Sequence, residues 1–152
     1  MITETTATAT VSPIRVIVCR VGLPPTAQQL VPNERGDHLP AMQAIVGGHV
    51  ELLSLESGLD LWCNEDALGL QLPLNAIIAA RAPEVPAGVE LIELGDDLAR
   101  PGEMGEWRIH GDFFVARNRG DDVADVTDGD IAAWTAAWLR GRHLQCALEV
   151  ES

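Results

Sequence analysis

The chain of 152 residues is long enough to bury one hydrophobic core, and its 47% hydrophobic content favours a folded domain over a disordered polymer. Its 23 acidic and 10 basic residues give a formal net charge of −13, which argues against direct binding to nucleic-acid phosphates or to anionic membranes. Every basic residue is an arginine, which excludes phosphate-loop, Schiff-base and Ser/Lys chemistry, because all three require lysine.

The N-terminal residues and the cysteines give information about the cellular compartment of the protein. Residues 1–12 are rich in threonine and alanine, which predicts a disordered tail ahead of a single domain over residues 13–150. This start lacks the features of a secretory signal, and no window is apolar enough to span a bilayer. Cys19, Cys63 and Cys146 are widely spaced in apolar segments, so we expect buried free thiols. A cytoplasmic location fits these features best.

Two hairpins and a short helix are predicted in the first half of the chain. A run of β-branched residues over 14–21 and a weaker strand over 27–31 indicate the first hairpin. Apolar residues at helical spacing predict a short helix over 39–46, which Gly47 would end by adopting a left-handed backbone. Residues 50–64 contain two apolar strands around a turn, the pattern of a second hairpin.

The middle of the chain is less regular. Residues 65–81 end in an apolar run and predict a short helix or turn packed on the sheet. Residues 82–105 are rich in proline, glycine and acids, and we expect an irregular insertion with one strand near residues 89–94. Residues 107–116 then predict a strand in which Gly111 marks a bulge or a close backbone approach.

The clearest helix follows an acidic stretch near the C-terminus. Thr127 precedes Asp130 by three residues, a variant of the capping box, and Gly141 is placed to end the helix. Trp134 and Trp138 form an aromatic stripe along it. We expect this stripe to be buried on the sheet, and a partner or dimer face is the alternative.

These elements, with a further strand over residues 143–150, predict an α+β fold. Its sheet would be mainly antiparallel because the strands arrive as hairpins, with a short central helix and an amphipathic C-terminal helix packed against it. The acidic residues 121–130 do not have the register of a calcium-binding loop, since Val123 stands where a second ligand is needed. We expect them to cap the helix and to form a solvated turn.

Two histidine and carboxylate pairs raise the question of a metal site. His49 with Glu51, and His110 with Asp112, are each spaced so that both side chains leave the same face of a strand. If the two strands were neighbours, the four side chains would converge on a divalent cation. The alternative is that these residues end their strands in water beside glycine turns.

Amides and carboxylates at strand ends form a second candidate group. Asn64 and Glu65 close the second predicted hairpin, and Asn75 follows farther along. Such side chains bind polar ligands, but they also close turns by bonding to the backbone. Both interpretations remain open for these residues.

The order of several short segments resembles a family of small proteins of unknown function encoded by bacteria, phages and plasmids. The resemblance covers about residues 14–139. Its segments are 14–18 (IRVIV), 42–48 (MQAIVGG) with Glu51, 63–65 (CNE) with Gly69, 72–75 (LPLN), 111–115 (GDFFV), and Thr127-Asp128 with Asp130-Ile131. The family has no established activity. Its polar positions fall on Glu51, Asn64, Glu65, Asn75 and Asp112, which the resemblance suggests as one ligand-binding or partner-binding surface.

This chain departs from the family pattern in two places. His49 stands where an aromatic residue is usual, and the insertion over residues 82–105 is long. A family ligand would be expected to stay a ligand, so the departure at His49 weakens the metal hypothesis.

Three functions follow from these observations. We favour a small, acidic, non-enzymatic interaction module without a cofactor, an accessory protein of a mobile element whose partner is another protein. That partner would be a basic protein, and a homodimer is left open. The second hypothesis is an acidic nucleic-acid mimic that inhibits a basic DNA-binding or RNA-binding protein. The third is a metal-dependent hydrolase that uses His49, Glu51, His110 and Asp112.

Overall fold

A computed structural model of the chain describes residues 12–55, 58–81, 88, 90–94, 97–120, 122–140 and 143–144. The tail expected at residues 1–12 and the strand expected at 143–150 therefore lie almost entirely outside the described residues. The described elements, in chain order, are β1 (Ile14–Cys19), β2 (Thr26–Leu30), α1 (Leu39–Val46), β3 (Val50–Ser54), β4 (Leu59–Asn64), β5 (Leu74–Arg81), β6 (Ile92–Leu94), β7 (Asp97–Ala99), β8 (Met104–His110), β9 (Phe113–Arg119), β10 (Asp122–Ala124), α2 (Asp128–Leu139) and β11 (His143–Leu144).

The strands form a large antiparallel sheet and a smaller second sheet. In the large sheet the strand order is β2-β1-β9-β4-β3, and β10 pairs with the end of β9. In the second sheet β5 pairs antiparallel with β8 and parallel with β11, while β6 and β7 form a separate antiparallel pair. The prediction of an α+β fold with a mainly antiparallel sheet, a short central helix and a C-terminal helix is confirmed.

The large sheet is covered on both faces because adjacent residues of its central strand point to opposite sides. Phe114 packs with Met42 and Val46 of α1 on one face. Phe113 lies on the other face, in one apolar cluster with Ile109 of the second sheet and Trp134 of α2. Phe113 and Phe114 are both fully buried, so β9 holds the two layers of the core together.

The helix ends follow the predicted local chemistry. Gly47 ends α1 with φ of +81°, a left-handed backbone that glycine adopts without steric cost. Thr127 and Asp130 form the predicted capping box at the start of α2. The helix ends at Leu139 with Arg140 as its cap, two residues before the predicted stop. Neither α1 nor α2, at 8 and 12 residues, is long enough to cross a bilayer.

The prediction of a short helix or turn over residues 65–81 is wrong for its second half. Turns occupy residues 65–71, but residues 74–81 are strand β5. Ile77 and Ile78 are β-branched, and they pair with Arg108 and Trp107 of β8. Pairing with a strand distant in sequence therefore outweighs the helix propensity of the neighbouring alanines.

The predicted continuous strand over residues 107–116 is two strands that belong to different sheets. Gly111 has φ of +81° and lies between the end of β8 and the start of β9. The chain turns there from the second sheet into the centre of the large one. We call residues 111–112 the corner. Within the insertion predicted at residues 82–105, the structure describes β6, β7 and the first residues of β8.

Candidate functional site

A cleft of about 310 Å³ opens where the β3-β4 hairpin meets β8. We call it the acidic cleft, because three carboxylates stand among its lining residues. These residues are Glu51 on β3, Cys63 and Asn64 on β4, Glu65, Asp66, Ala67, Leu68 and Gly69 in the following loop, and Trp107, Arg108, Ile109 and His110 on β8.

The walls of the acidic cleft have different characters. Cys63, Trp107 and Ile109 are buried and belong to the core, so the cleft has an apolar floor. Glu51 and Glu65 are exposed at its rim. Glu51 and Cys63 are directly opposite each other on β3 and β4, so both side chains lie on the same face of the sheet. Glu51 is exposed because β3 is an edge strand, whereas β4 lies inside the sheet. A charged rim over an apolar floor suits a ligand with a polar end and an apolar body.

Hydrogen bonds to the backbone hold the loop that forms one side of the cleft. Asn64 Nδ2 donates to the carbonyl of Val46 at 3.0 Å, and Asn64 Oδ1 accepts from the backbone N–H of Asp66 at 2.7 Å. The backbone N–H of Glu65 donates to the carbonyl of His49 at 2.9 Å. Asn64 is buried, so these bonds position the loop, and this side chain has a structural role in turn closure.

The rim carboxylates form no ion pair with a described residue. Burial raises the pKa of Glu51, the negative charge of Glu65 raises it further, and a hydrogen bond from Cys63 lowers it in part. Arg108 also lines the cleft, but it lies 3.5 Å from Glu106. A cation bound between Glu51 and Glu65 would offset the repulsion between their charges.

Exposed leucines stand beside this negative rim. Leu68 and Leu70 are each 56% exposed, in the same loop as Glu65 and Asp66. Leu68 also lines the cleft. Large apolar side chains next to a charged rim are typical of surfaces that bind other proteins.

The five residues predicted as one surface fall into two places. Glu51, Asn64 and Glu65 line the acidic cleft, whereas Asn75 and Asp112 lie at the corner. The structure therefore brings three of them together and separates the other two from the cleft lining.

Asn75 and Asp112 tie the corner to β1. Asn75 Nδ2 donates to the carbonyls of Cys19 and Gly111 at 2.8 and 2.9 Å. Asp112 accepts from the Arg20 guanidinium and from the backbone N–H of Val21, both at 2.9 Å. These contacts use both side chains to join three backbone segments.

The four side chains of the metal hypothesis are also divided. Glu51 and His110 line the acidic cleft, and the His110 ring lies 3.2 Å from the carbonyl of Leu72. His49 lies 3.6 Å from Asp66, and Asp112 is engaged by Arg20. In the part of the chain that the structure describes, no three such side chains are grouped as metal ligands.

Several cleft residues were missed by reasoning from the sequence. Trp107 and Arg108 reach the cleft because β8 pairs with β5, a long-range pairing that no local pattern reveals. Leu68 and Leu70 did carry a signal, because two leucines around a glycine in a polar turn have no apolar face to join. Leucines in such a turn indicate exposed apolar side chains, as the structure shows for both.

The thiol of Cys63 is expected to be chemically inert in the folded protein. Burial raises its pKa to about 12, with a further contribution from Glu51, and burial also raises the pKa of Cys19. Because the thiolate is the nucleophile, alkylation of Cys63 by iodoacetamide at pH 8 should be at least about a hundredfold slower than in the urea-unfolded chain. Mass spectrometry of the peptides measures each rate, and rapid native labelling of Cys63 would contradict this expectation. Cys19 and Cys63 are free, as predicted, and Cys146 lies outside the described residues.

The chain matches the model of a protein family. The family described as "Domain of unknown function (DUF3846)" matches residues 14–139 of the chain. No curated protein and no solved structure gives a significant match.

Proposed function

The chain belongs to the family described as Domain of unknown function (DUF3846), and we propose that it is a non-enzymatic binding module that captures a basic segment of another protein in the acidic cleft. The observation that carries this proposal is the pair of carboxylates, Glu51 and Glu65, at the rim of a cleft with an apolar floor. An arginine or lysine of the partner would pair with these two carboxylates.

Electrostatics favours a basic partner for a second reason. The formal net charge of −13 attracts cationic proteins over distances of about a Debye length and increases the rate of encounter. The cleft then provides the specific contact, since a partly desolvated charge pair contributes more than one in open water. The exposed Leu68 and Leu70 would bind apolar residues next to the partner's cation.

We also propose that the protein is an accessory factor of a mobile element. Its support is the sequence resemblance to proteins of phages and plasmids. A binding module of this kind acts by occupying a surface of its partner.

The proposal predicts selective binding of short cationic peptides. A fluorescein-labelled decapeptide that alternates arginine and leucine should bind the full chain, and an alternating glutamate and leucine decapeptide should not. The double substitution Glu51→Gln with Glu65→Gln should weaken binding at least about tenfold, because it removes the two charges that face the cation. Fluorescence anisotropy measures the affinity, and the wild-type affinity should fall as salt is added.

A matched control separates the cleft from the general charge of the protein. Glu34 and Glu103 are exposed and form no ion pair with a described cation. Their double substitution to glutamine makes the same change in net charge and should leave the affinity within about twofold of wild type. An equal loss in both double variants would show that the peptide binds the overall negative field, and the cleft would be rejected as the site.

The leucines provide an independent test of the same surface. Leu68→Ser should weaken peptide binding, since this side chain is 56% exposed at the cleft. Leu91→Ser is the control, because Leu91 is 52% exposed and does not line the cleft. Unchanged affinity of the Leu68 variant would limit the binding surface to the carboxylates.

A further inference from the structure

The outer edge of β2 is a neutral strand in a strongly acidic protein. β2 lies at one end of the large sheet, and no other strand of the described residues pairs with its outer side. Residues 21–33, which contain it, include no charged side chain, although the chain as a whole is 22% charged. An edge strand of a soluble protein is usually protected by charged residues, by proline or by a covering element. Among the described residues, the protection of this edge is limited to the prolines beyond its ends, at positions 25 and 32.

The side chains of β2 are mostly exposed, uncharged and polar or small. Thr26, Ala27, Gln28 and Gln29 are exposed, and only Leu30 enters the core. Leu23 and Val31 stand near the two ends of the strand and are 55% and 58% exposed. This edge therefore combines open backbone hydrogen-bonding groups with small neutral side chains and an apolar residue near each end.

The opposite edge of the sheet has a different character. β3 carries Glu51, and Glu56 follows the strand in the sequence. Two copies that met through β3 would bring their Glu51 carboxylates close together, in molecules that already repel each other with a net charge of −13 each. Of the two outer strands of the large sheet, β2 is the one that a second copy can approach without opposing like charges.

We propose that two copies of the chain pair antiparallel through β2, so that their large sheets form one continuous sheet across a two-fold axis. The same strand then serves both partners, as an isologous contact requires. A register centred on Gln28 places this residue opposite Gln28 of the second copy, where the two side-chain amides can hydrogen-bond to each other. Thr26 of each copy then lies opposite Leu30 of the other. The prolines beyond both ends limit the pairing to this short segment.

Sedimentation velocity of the full chain over about 5 to 500 μM tests the proposal. Wild type should shift from monomer to dimer, and Gln28→Glu should raise the dissociation constant at least fivefold, because it opposes two carboxylates at the axis. Ala44→Glu adds the same charge on the exposed side of α1 and should have little effect. Added salt should strengthen the dimer by screening the repulsion between copies, whereas it weakens peptide binding at the acidic cleft.

Cross-linking gives a readout that does not depend on a loss of stability. Gln28→Cys should form a disulfide between two copies on mild oxidation, since residues opposite each other in antiparallel strands are close enough for the bond. Ala44→Cys should not. A wild-type chain that stays monomeric across the whole range overturns the proposal, as does a dimer that neither Gln28→Glu nor Gln28→Cys affects.

Discussion

Replacing Asp130 with alanine is expected to lower the free energy of unfolding by about 3 kcal/mol, because one carboxylate has two structural roles. Asp130 accepts two hydrogen bonds from Arg117, at 2.7 and 2.8 Å. It also accepts from the backbone N–H of Thr127 at 2.9 Å, which completes the capping box of α2. The alanine variant would leave Arg117 without this partner and the backbone N–H of Thr127 without its acceptor, while Thr127 Oγ1 would still accept from the backbone N–H of residue 130. Urea unfolding followed by circular dichroism measures the difference.

The contribution of Asp130 also depends on pH. Burial raises its pKa, but the hydrogen bonds from Arg117 and Thr127 lower it more, and the net shift is downward from 3.8. A carboxylate with a depressed pKa stabilises the fold at pH values above its unfolded pKa, and this stabilisation is lost as the pH falls through the folded value. The difference in unfolding free energy between wild type and Asp130→Ala should therefore be constant near pH 7 and should shrink below about pH 4.

Asp128 provides the matched control in the same first turn of α2. Its carboxylate contacts Arg15 at 2.9 Å, but its side chain is 93% exposed. Asp128→Ala should stay within about 0.5 kcal/mol of wild type, because an exposed ion pair contributes little. If the two alanine variants lost equal stability, the special role of the buried carboxylate would be disproved.

Replacing Asn75 with alanine is expected to cost about 2 kcal/mol of stability and to leave peptide binding at the acidic cleft unchanged. The substitution removes the amide that bonds to the carbonyls of Cys19 and Gly111, and both acceptors lie in a partly buried region. The two readouts distinguish a structural role from the binding role that the family resemblance suggests. Thermal unfolding gives the first, and fluorescence anisotropy at a temperature where the variant is folded gives the second.

Gln43→Ala, at a partly exposed amide on α1 for which the structure gives no side-chain hydrogen bond, is the control for loss of an amide group. It should change the free energy of unfolding by less than about 0.5 kcal/mol. A variant at Asn75 that kept its stability but lost affinity for the peptide would place this side chain in the binding surface after all.

Elements specified by nearby residues were predictable from the sequence. The β-branched residues of β1 predict a strand, and Thr127 with Asp130 predicts the start of α2. Both patterns depend only on residues a few positions apart. Strand β5 was not predictable, since Ile77 and Ile78 become a strand only through pairing with β8. The corner was missed for the same reason. Its single glycine resembles a bulge until the two strands are seen to enter different sheets.

The same distinction between local and long-range contacts applies to the residues of the candidate site. Glu51, Asn64 and Glu65 were found together because one hairpin and the loop that follows it carry all three. The other wall of the cleft comes from β8, which is distant in sequence, so neither Trp107 nor Arg108 could be assigned to it in advance. Asn75 and Asp112 have residue types that suit ligand binding, but their hydrogen bonds show that such residues equally well satisfy backbone groups within the fold.

The two-residue corner also bears on the rigidity of the acidic cleft. One wall is built on β4 and the other on β8, and both connect to β9, the first through strand pairing and the second through residues 111–112. Because this connection is only two residues long, the two walls can move little relative to each other. The cleft is therefore expected to have the same width without a ligand as with one. A preorganised receptor loses little conformational entropy on association, so more of the contact energy appears as affinity.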